Sequence, residues 1–243
     1  MLKRIVDLAN PTRFLAFAGT ILPWCVAVTV ALFAVGLYGA LVLAPPDYQQ
    51  GETVKIMFIH VPAAWLSMFT YGLMTVSALG TLVWRHPLAD VSAKAAAPLG
   101  AAFTFIALVT GSLWGKPMWG TWWIWDARLT SVLVLFIMYL GLIALWRTVE
   151  EPSRAARLAA ILILVGSINL PIIKFSVDWW NTLHQPASVF RMDGPTIDPS
   201  MLWPLLVMAL AFTMLLVTLH LMAMRNEILR RRVRTLGLVA AGA

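Results

Sequence analysis

Long apolar runs, separated by short polar segments, dominate the hydropathy pattern of this chain. Six of the runs are close to or longer than the ~20 residues that an α-helix needs to cross a hydrocarbon core of roughly 30 Å. Backbone N–H and C=O groups inside a bilayer must pair within their own segment, so each run is predicted to be helical. The predicted spans are Leu15–Ala44, Val54–Trp84, Ala95–Leu113, Leu129–Trp146, Leu158–Phe175 and Met201–Met224.

Composition favours one membrane-embedded unit. Of the 243 residues, 60% are hydrophobic and 12% are charged, whereas soluble domains are nearer ~45–50% apolar. The first run is too long for the apolar core of a signal peptide, so it is expected to stay as a span. We therefore predict an all-α membrane protein in which residues 1–243 form a single bundle of six transmembrane helices.

The distribution of lysine and arginine predicts the orientation of the bundle, because cytoplasmic segments carry an excess of both. Thirteen of the 18 basic residues fall on the side of the two termini, which are therefore expected in the cytoplasm. Segments 45–53, 114–128 and 177–200 are then expected to face outward, which in a bacterium is the periplasm. The net charge is +7, and the basic residues lie next to the apolar spans. This position favours anionic lipid rather than nucleic acid as their partner.

The outward segment 114–126, WGKPMWGTWWIWD, contains five tryptophans. Tryptophans at the headgroup level are common helix anchors, but glycines at 115 and 120 and a proline at 117 give this segment a shape that anchoring does not require. Exposed large apolar surfaces mark interaction sites, and indoles offer flat faces and one N–H donor each. The segment therefore predicts a binding surface for a flat, mostly apolar ligand, which a porphyrin fits more completely than a lipid or a quinone.

Two of the four histidines are expected on the same outer side as this segment. They are His60, in the second span, and His184, in the outer segment after the fifth span. Imidazole nitrogen is a common axial ligand of haem iron, so both are candidate ligands. His86 and His220 fall on the cytoplasmic side and are interpreted as packing or interfacial residues.

Two charged residues next to the tryptophans complete the predicted site. Asp126 directly precedes the fourth span and is expected to cap its N-terminus. Arg128 is a candidate partner for haem propionates, because its guanidinium group pairs with carboxylates through two parallel hydrogen bonds.

Motifs for catalysis or nucleotide binding are missing from the sequence. A single cysteine, Cys25, excludes an intrachain disulfide and the C-x-x-C-H motif for covalent haem attachment. Residues 111–117 depart from a phosphate-binding loop, with three residues between the glycines instead of four and a proline in place of Ser or Thr. We therefore predict that the chain is not an enzyme and does not hydrolyse ATP.

Residues 114–130 resemble the tryptophan-rich WWD signature of haem-handling proteins in cytochrome c maturation. The length, the six spans and segments 59–65 and 169–185 resemble the haem exporter protein C (CcmC) family in particular. The resemblance covers residues 1–225. It implies a subunit of the bacterial inner membrane that carries haem b as cargo at its periplasmic face. His60 and His184 would be the axial ligands, and the WWD segment would lie against the macrocycle with the indoles of Trp114, Trp119, Trp122 and Trp125.

The resemblance also implies partners. Members of this family pass haem to the periplasmic chaperone CcmE and work with the ATPase CcmA and the membrane subunits CcmB and CcmD. An ATPase in a separate subunit agrees with the missing nucleotide site.

Two alternatives remain open from the residues themselves. An electron-transfer cytochrome would bind one haem between His60 and His184 and a second between His86 and His220. A structural subunit would use its tryptophans only as membrane anchors. The number of haems per chain distinguishes the three functions: one haem favours haem handling, two favour electron transfer, and none favours a structural subunit.

Overall fold

The computed structural model describes residues 9–184, 188–189 and 191–242, which form seven α-helices. A π-helical turn, Gly39–Leu43, extends α1, and a 3₁₀ turn, Glu52–Ile56, precedes α2. The helices are α1 Pro11–Tyr38, α2 Met57–Leu82, α3 Ala89–Trp119, α4 Ala127–Thr148, α5 Pro152–Gly166, α6 Asn169–Trp179 and α7 Pro199–Ala241. Six helical segments are long and apolar enough to cross a membrane, which confirms the predicted all-α, multi-pass membrane fold.

Side-chain caps and prolines determine where several helices begin. Asn10 Oδ1 accepts a hydrogen bond from Thr12 N at 2.9 Å at the start of α1, and Asp198 accepts one from Ser200 N in the same way before α7. Proline occupies the first position of α1, α5 and α7, where a missing N–H carries no cost.

The fifth span is two helices rather than the single helix predicted over 158–175. Helix α5 ends at Gly166 and α6 begins at Asn169. Pro171 has no N–H for the Ser167 carbonyl four residues earlier and its ring crowds that carbonyl, so a continuous helix is unfavourable there. Leu170 N donates to Ser167 O instead, at 3.1 Å. Hydropathy alone does not reveal this break, because both pieces are apolar.

Helix α3 runs past the predicted end of the third span, so the outward tryptophan loop is shorter than the predicted 114–128. The helix includes Trp114 and Trp119 and ends before Gly120, whose φ of 75° is left-handed and whose N–H donates to Lys116 O at 3.1 Å. Left-handed glycine is a common helix terminator. The non-helical part, residues 120–126, is called the tryptophan loop below. Helix α7 likewise extends beyond Met224 to Ala241.

Small residues let the central helices approach closely. The buried face of α3 carries a series of alanines that packs against α2, and small residues at such contacts are typical of membrane bundles. Gly100 of α3 faces the Tyr139 ring so closely that a methyl group there would overlap it. Tyr139 Oη donates to the Ser67 carbonyl at 2.7 Å, and its ring meets Tyr71 edge to face.

The alternating direction of the helices brings six helix ends together. The beginnings of α2, α4 and α7 and the ends of α1, α3 and α6 lie at one end of the bundle. The opposite end holds a charged cluster in which Glu227 bonds Lys94 and Arg231, each within 3.0 Å. The candidate site lies at the first of these two ends.

Candidate functional site

A cavity of about 80 Å³ lies between α2, α3, α4 and α6 at this end of the bundle. Its walls are mostly apolar, with a few polar side chains that converge on it. The predicted site residues that line it are His60, Trp114, Trp119, Arg128 and His184. The fold therefore brings both candidate axial histidines to one cavity, although 124 positions separate them in the sequence numbering.

His60 is held by a hydroxyl group of the neighbouring helix. Its Nδ1 lies 3.0 Å from Thr110 Oγ1 of α3. Thr110 donates its own hydroxyl hydrogen to the Ile106 carbonyl at 2.6 Å, so its oxygen is free to accept, and this arrangement favours the tautomer of His60 that carries its proton on Nδ1. The other ring nitrogen, Nε2, then keeps its lone pair and is the atom that can bind a metal. A partner that fixes the tautomer in this way is typical of metal-binding histidines.

His184 belongs to a non-helical segment, and its position depends on a chain of hydrogen bonds. His184 N donates to Thr182 Oγ1 at 3.1 Å, and the Thr182 hydroxyl donates to Asp126 Oδ2. The other oxygen of Asp126 accepts from Leu129 N at 2.7 Å and caps α4. The predicted cap is confirmed, but Asp126 has a second contact that the sequence did not indicate.

Two indoles of α3 form one wall of the cavity. Trp114 and Trp119 meet edge to face with ring centroids 5.2 Å apart. Trp114 Nε1 donates to Gln50 Oε1 at 2.8 Å, which ties this wall to the segment before α2. Their ring planes are nearly perpendicular, at 83° to each other, so only one of the two can lie flat against a ligand, and their role as a ligand surface stays a prediction.

The tryptophan loop contributes a different residue from those predicted. Trp123 lines the cavity, and its Nε1–H is buried without a hydrogen-bond partner in the described part of the chain. Trp122 and Trp125 lie outside the cavity with 55% and 76% of their surface exposed. Lys116 Nζ sits 6.0 Å from the centre of the Trp122 ring, and Trp125 packs edge to face on Trp123. Because the loop is irregular, sequence spacing could not indicate which of its indoles turns inward.

Arg128 reaches the cavity from the first turn of α4. Its Nε donates to Ser176 Oγ at 2.7 Å, and Nη2 lies 3.5 Å from the Lys174 carbonyl. Both partners belong to α6, so the guanidinium group is anchored on one side. Among the described residues, no carboxylate oxygen lies within 4.0 Å of it. Arg128 and the buried Trp123 N–H together offer donors to an anionic ligand group at this cavity.

Two imidazoles are too few to bind a bare transition-metal ion, because structural zinc takes four protein ligands. In the described residues, no group of three or more His, Cys, Asp and Glu side chains has metal-binding geometry. A porphyrin iron already has four equatorial nitrogens, so two axial imidazoles complete its coordination. The donor set therefore suits a metal that arrives inside a macrocycle.

The cavity is smaller than the ligand predicted for it. Small-molecule pockets usually enclose roughly 300–1,000 Å³, compared with about 80 Å³ here. The indoles of Trp114, Trp119 and Trp123 converge on this space. Binding of a macrocycle therefore requires the lining side chains to move apart, and the tryptophan loop is the part without helical hydrogen bonds to restrain it.

The other two histidines lie away from this cavity. His86 is exposed in the turn between α2 and α3, where its Nδ1 accepts from Leu88 N at 3.2 Å. His220 of α7 contacts Ser92 Oγ through Nε2 at 3.1 Å. These contacts agree with packing and interfacial roles.

Comparison with known proteins gives a consistent result over nearly the whole chain. A family model described as Heme exporter protein C matches residues 4–238. Heme exporter protein C of Bradyrhizobium diazoefficiens is 74% identical over 98% of this chain and 90% of its own length. The proteins of the same name in Escherichia coli and Paracoccus denitrificans are 51% and 46% identical, over 94% and 96% of this chain and 92% and 96% of their own lengths.

Proposed function

The chain belongs to the Heme exporter protein C family, and on this premise we propose that it holds haem at the cavity and passes it to the haem chaperone CcmE. The name of the family indicates haem handling by a transport or delivery subunit, not catalysis. In this proposal haem b is cargo, and the chain acts within a complex with CcmA, CcmB and CcmD in the bacterial inner membrane. The cavity faces the periplasm and the termini face the cytoplasm.

His60 and His184 are proposed to bind the iron from opposite sides of the macrocycle. The observation that carries this proposal is that two imidazoles from distant segments line one cavity with three indoles. The hydrogen bond between His60 Nδ1 and Thr110 leaves Nε2 unprotonated for the iron. With both axial positions filled, oxygen finds no open coordination site on the metal.

The haem carboxylates are proposed to lie near Arg128 and Trp123. Arg128 supplies charge and further N–H donors beyond those used on α6, and the Trp123 N–H has no partner among the described residues. A buried donor without an acceptor costs about 1–3 kcal/mol, so an acceptor on the cargo would relieve this cost. The guanidinium and indole groups would thereby fix the orientation of the ring.

The size of the cavity supports partial enclosure rather than full burial of the cargo. A macrocycle that enters from the outer end would displace the tryptophan loop and leave one edge facing the periplasm. That edge would be accessible to the chaperone, while one of the two perpendicular indoles, Trp114 or Trp119, lies against the ring face. No nucleotide chemistry is assigned to this chain, so energy for release would come from the partner ATPase.

Spectra of the purified full-length chain test the proposal. We expect one haem per chain with the absorption of a six-coordinate bis-imidazole complex, and weaker retention or an altered spectrum in His60→Ala and in His184→Ala. His86→Ala is the control, because that side chain is exposed and lies outside the cavity. Unchanged haem content and spectra in both single variants would contradict the proposed ligands.

The same samples decide between transfer and electron transport. Two haems per chain, with one lost in His86→Ala or His220→Ala, would favour the cytochrome alternative. Transfer of haem from the loaded chain to purified CcmE is expected only for a haem-handling protein. A chain that binds no haem under haem-replete expression would indicate a structural subunit.

A further inference from the structure

We propose that Thr182 is a positioning residue that couples the tryptophan loop to the axial ligand His184. This inference rests on the proposed function, because it assigns a role to the bond between His184 and haem iron. It deepens that function by identifying the contact through which movement of the loop releases the iron.

The Thr182 hydroxyl joins two parts of the site that are distant in sequence. It donates to Asp126 Oδ2 and accepts from His184 N at 3.1 Å. A hydroxyl group has one hydrogen and two acceptor lone pairs, so it can make both bonds at once. Asp126 is the last residue of the tryptophan loop and is itself fixed by its bond to Leu129 N at 2.7 Å. The backbone of His184 is thus tied to the end of the loop and to the first turn of α4.

The local chain around His184 explains why this tie matters. Helix α6 ends at Trp179, and Trp180 is already extended, with φ of −133° and ψ of 153°. His184 follows in this non-helical segment, and its backbone N–H bonds the Thr182 hydroxyl instead of a carbonyl four residues earlier. Side-chain bonds such as those of Thr182 carry more of the positioning in such a segment.

The coupling has a definite direction. The tryptophan loop contributes Trp123 to the cavity, and it ends at the carboxylate that holds Thr182. A partner that pulls the loop away from the macrocycle strains the chain at Asp126, where the loop joins α4, and so weakens the bond between Asp126 and Thr182 that positions His184. His60 is unaffected, because its partner Thr110 lies on α3 outside the loop. Opening of the loop is therefore expected to release the iron from His184 first.

The test compares three threonine variants of the full-length chain loaded with haem. Thr182→Val removes both hydrogen bonds with little change in volume, and Thr182→Ser keeps the hydroxyl group. Thr196→Val is the matched control, because Thr196 lies in the same outer segment and, among the residues that the structure describes, its hydroxyl bonds the Ser188 carbonyl, at 3.4 Å, and no part of the tryptophan loop. The readout is the rate at which carbon monoxide binds the reduced haem, since carbon monoxide must wait for an axial imidazole to leave.

Thr182→Val is expected to bind carbon monoxide roughly tenfold faster than the unmodified chain, which corresponds to the lower end of the ~10–100-fold loss of metal affinity when an outer partner of a metal ligand is removed. It should also show a larger five-coordinate fraction in its absorption spectrum. Thr182→Ser and Thr196→Val should match the unmodified chain. Equal rates for Thr182→Val and the unmodified chain, or equal acceleration in Thr196→Val, would overturn the coupling.

Asp126→Asn gives a second, independent measurement. Asparagine keeps an oxygen for the cap on Leu129 N but replaces the acceptor for Thr182 by an amide donor. Since both changes break the same bond, the double variant should be no faster than the faster single variant. Additive acceleration would refute the shared path.

Failure of this inference can be distinguished from failure of the proposed function. If His184→Ala leaves the spectrum unchanged, His184 is not an axial ligand, and both the proposed ligand pair and the coupling through Thr182 are wrong. If His184→Ala alters the spectrum and Thr182→Val changes neither the rate nor the five-coordinate fraction, only the coupling falls.

Discussion

Replacing Thr110 by valine removes the hydroxyl group beside His60 and nearly preserves the side-chain volume. In the protein, this oxygen lies 3.0 Å from His60 Nδ1 and its hydrogen is given to the Ile106 carbonyl at 2.6 Å. In the variant, Nδ1–H loses the Thr110 oxygen and faces a methyl group, so the tautomer with its proton on Nδ1 is less strongly favoured. The tautomer with Nε2 unprotonated therefore becomes less populated before haem binds.

The size of the effect follows from the lost hydrogen bond. A buried donor without a partner costs about 1–3 kcal/mol, and 1.4 kcal/mol corresponds to a factor of ten in affinity. We therefore expect the dissociation constant for haem to rise roughly 5- to 150-fold. Thr110→Ser restores the oxygen and should recover most of the affinity.

The assay is a haem titration of the purified full-length chain, followed by absorption of the haem band. Thr104→Val is the matched control: Thr104 lies on the same helix and bonds the Gly100 carbonyl at 2.6 Å, but it does not line the cavity. This control should bind haem like the unmodified chain. If Thr110→Val binds equally well, or if Thr104→Val weakens binding to the same degree, the Thr110 hydroxyl does not set the tautomer of His60.

Three further variants test other parts of the site. Gly111→Ala places a methyl group 3.1 Å from His60 Cε1, so the imidazole must shift by a few tenths of an ångström and the affinity for haem should fall; an unchanged affinity would mean that this contact does not position His60. Trp123→Phe removes the buried N–H donor and should weaken haem binding by several-fold, whereas the exposed Trp122→Phe should not; equal effects would remove the distinction between the two indoles. Arg128→Gln should lower the affinity for haem more than for its dimethyl ester, which lacks propionate charge, and equal losses for the two ligands would argue against propionate binding.

The membrane fold could be predicted from hydropathy because the constraint is local. Each span must satisfy its own backbone inside the bilayer, so the number of spans follows from runs of apolar residues. The positions where helices break or end depend on single residues, and hydropathy did not predict them. The break before Pro171 and the helical conformation of Trp119 both lie within apolar or aromatic sequence, where the hydropathy signal does not change.

Some residues of the candidate site could likewise be predicted from the sequence, and others could not. His60 and His184 could be identified as candidates because histidine is rare in this chain and the orientation of the spans assigns both to one end. The hydrogen-bond partners at the site could not be identified, because Thr110 is 50 positions from His60 and Thr182 is 56 positions from Asp126. Nothing in the spacing of a threonine within an apolar helix indicates which neighbouring helix its hydroxyl will face. Such contacts depend on helix packing, which a single sequence leaves open.

The two proposed ligands differ in the elements that carry them, and this difference bears on function. His60 lies in the first turn of α2, bonded to α3, and these two helices pack against each other in the core of the bundle. His184 lies in a non-helical segment tied to the tryptophan loop, and such segments open at a lower free-energy cost than core helices. A resident electron-transfer haem gains nothing from a ligand that leaves easily, because each loss of coordination alters its potential. A cargo haem must leave the protein. One readily displaced imidazole allows release to begin, and one firmly held imidazole keeps the iron bound until the haem is transferred. Under the proposed function, this asymmetry favours transfer over electron transport, and His60 is expected to be the last protein contact to the iron.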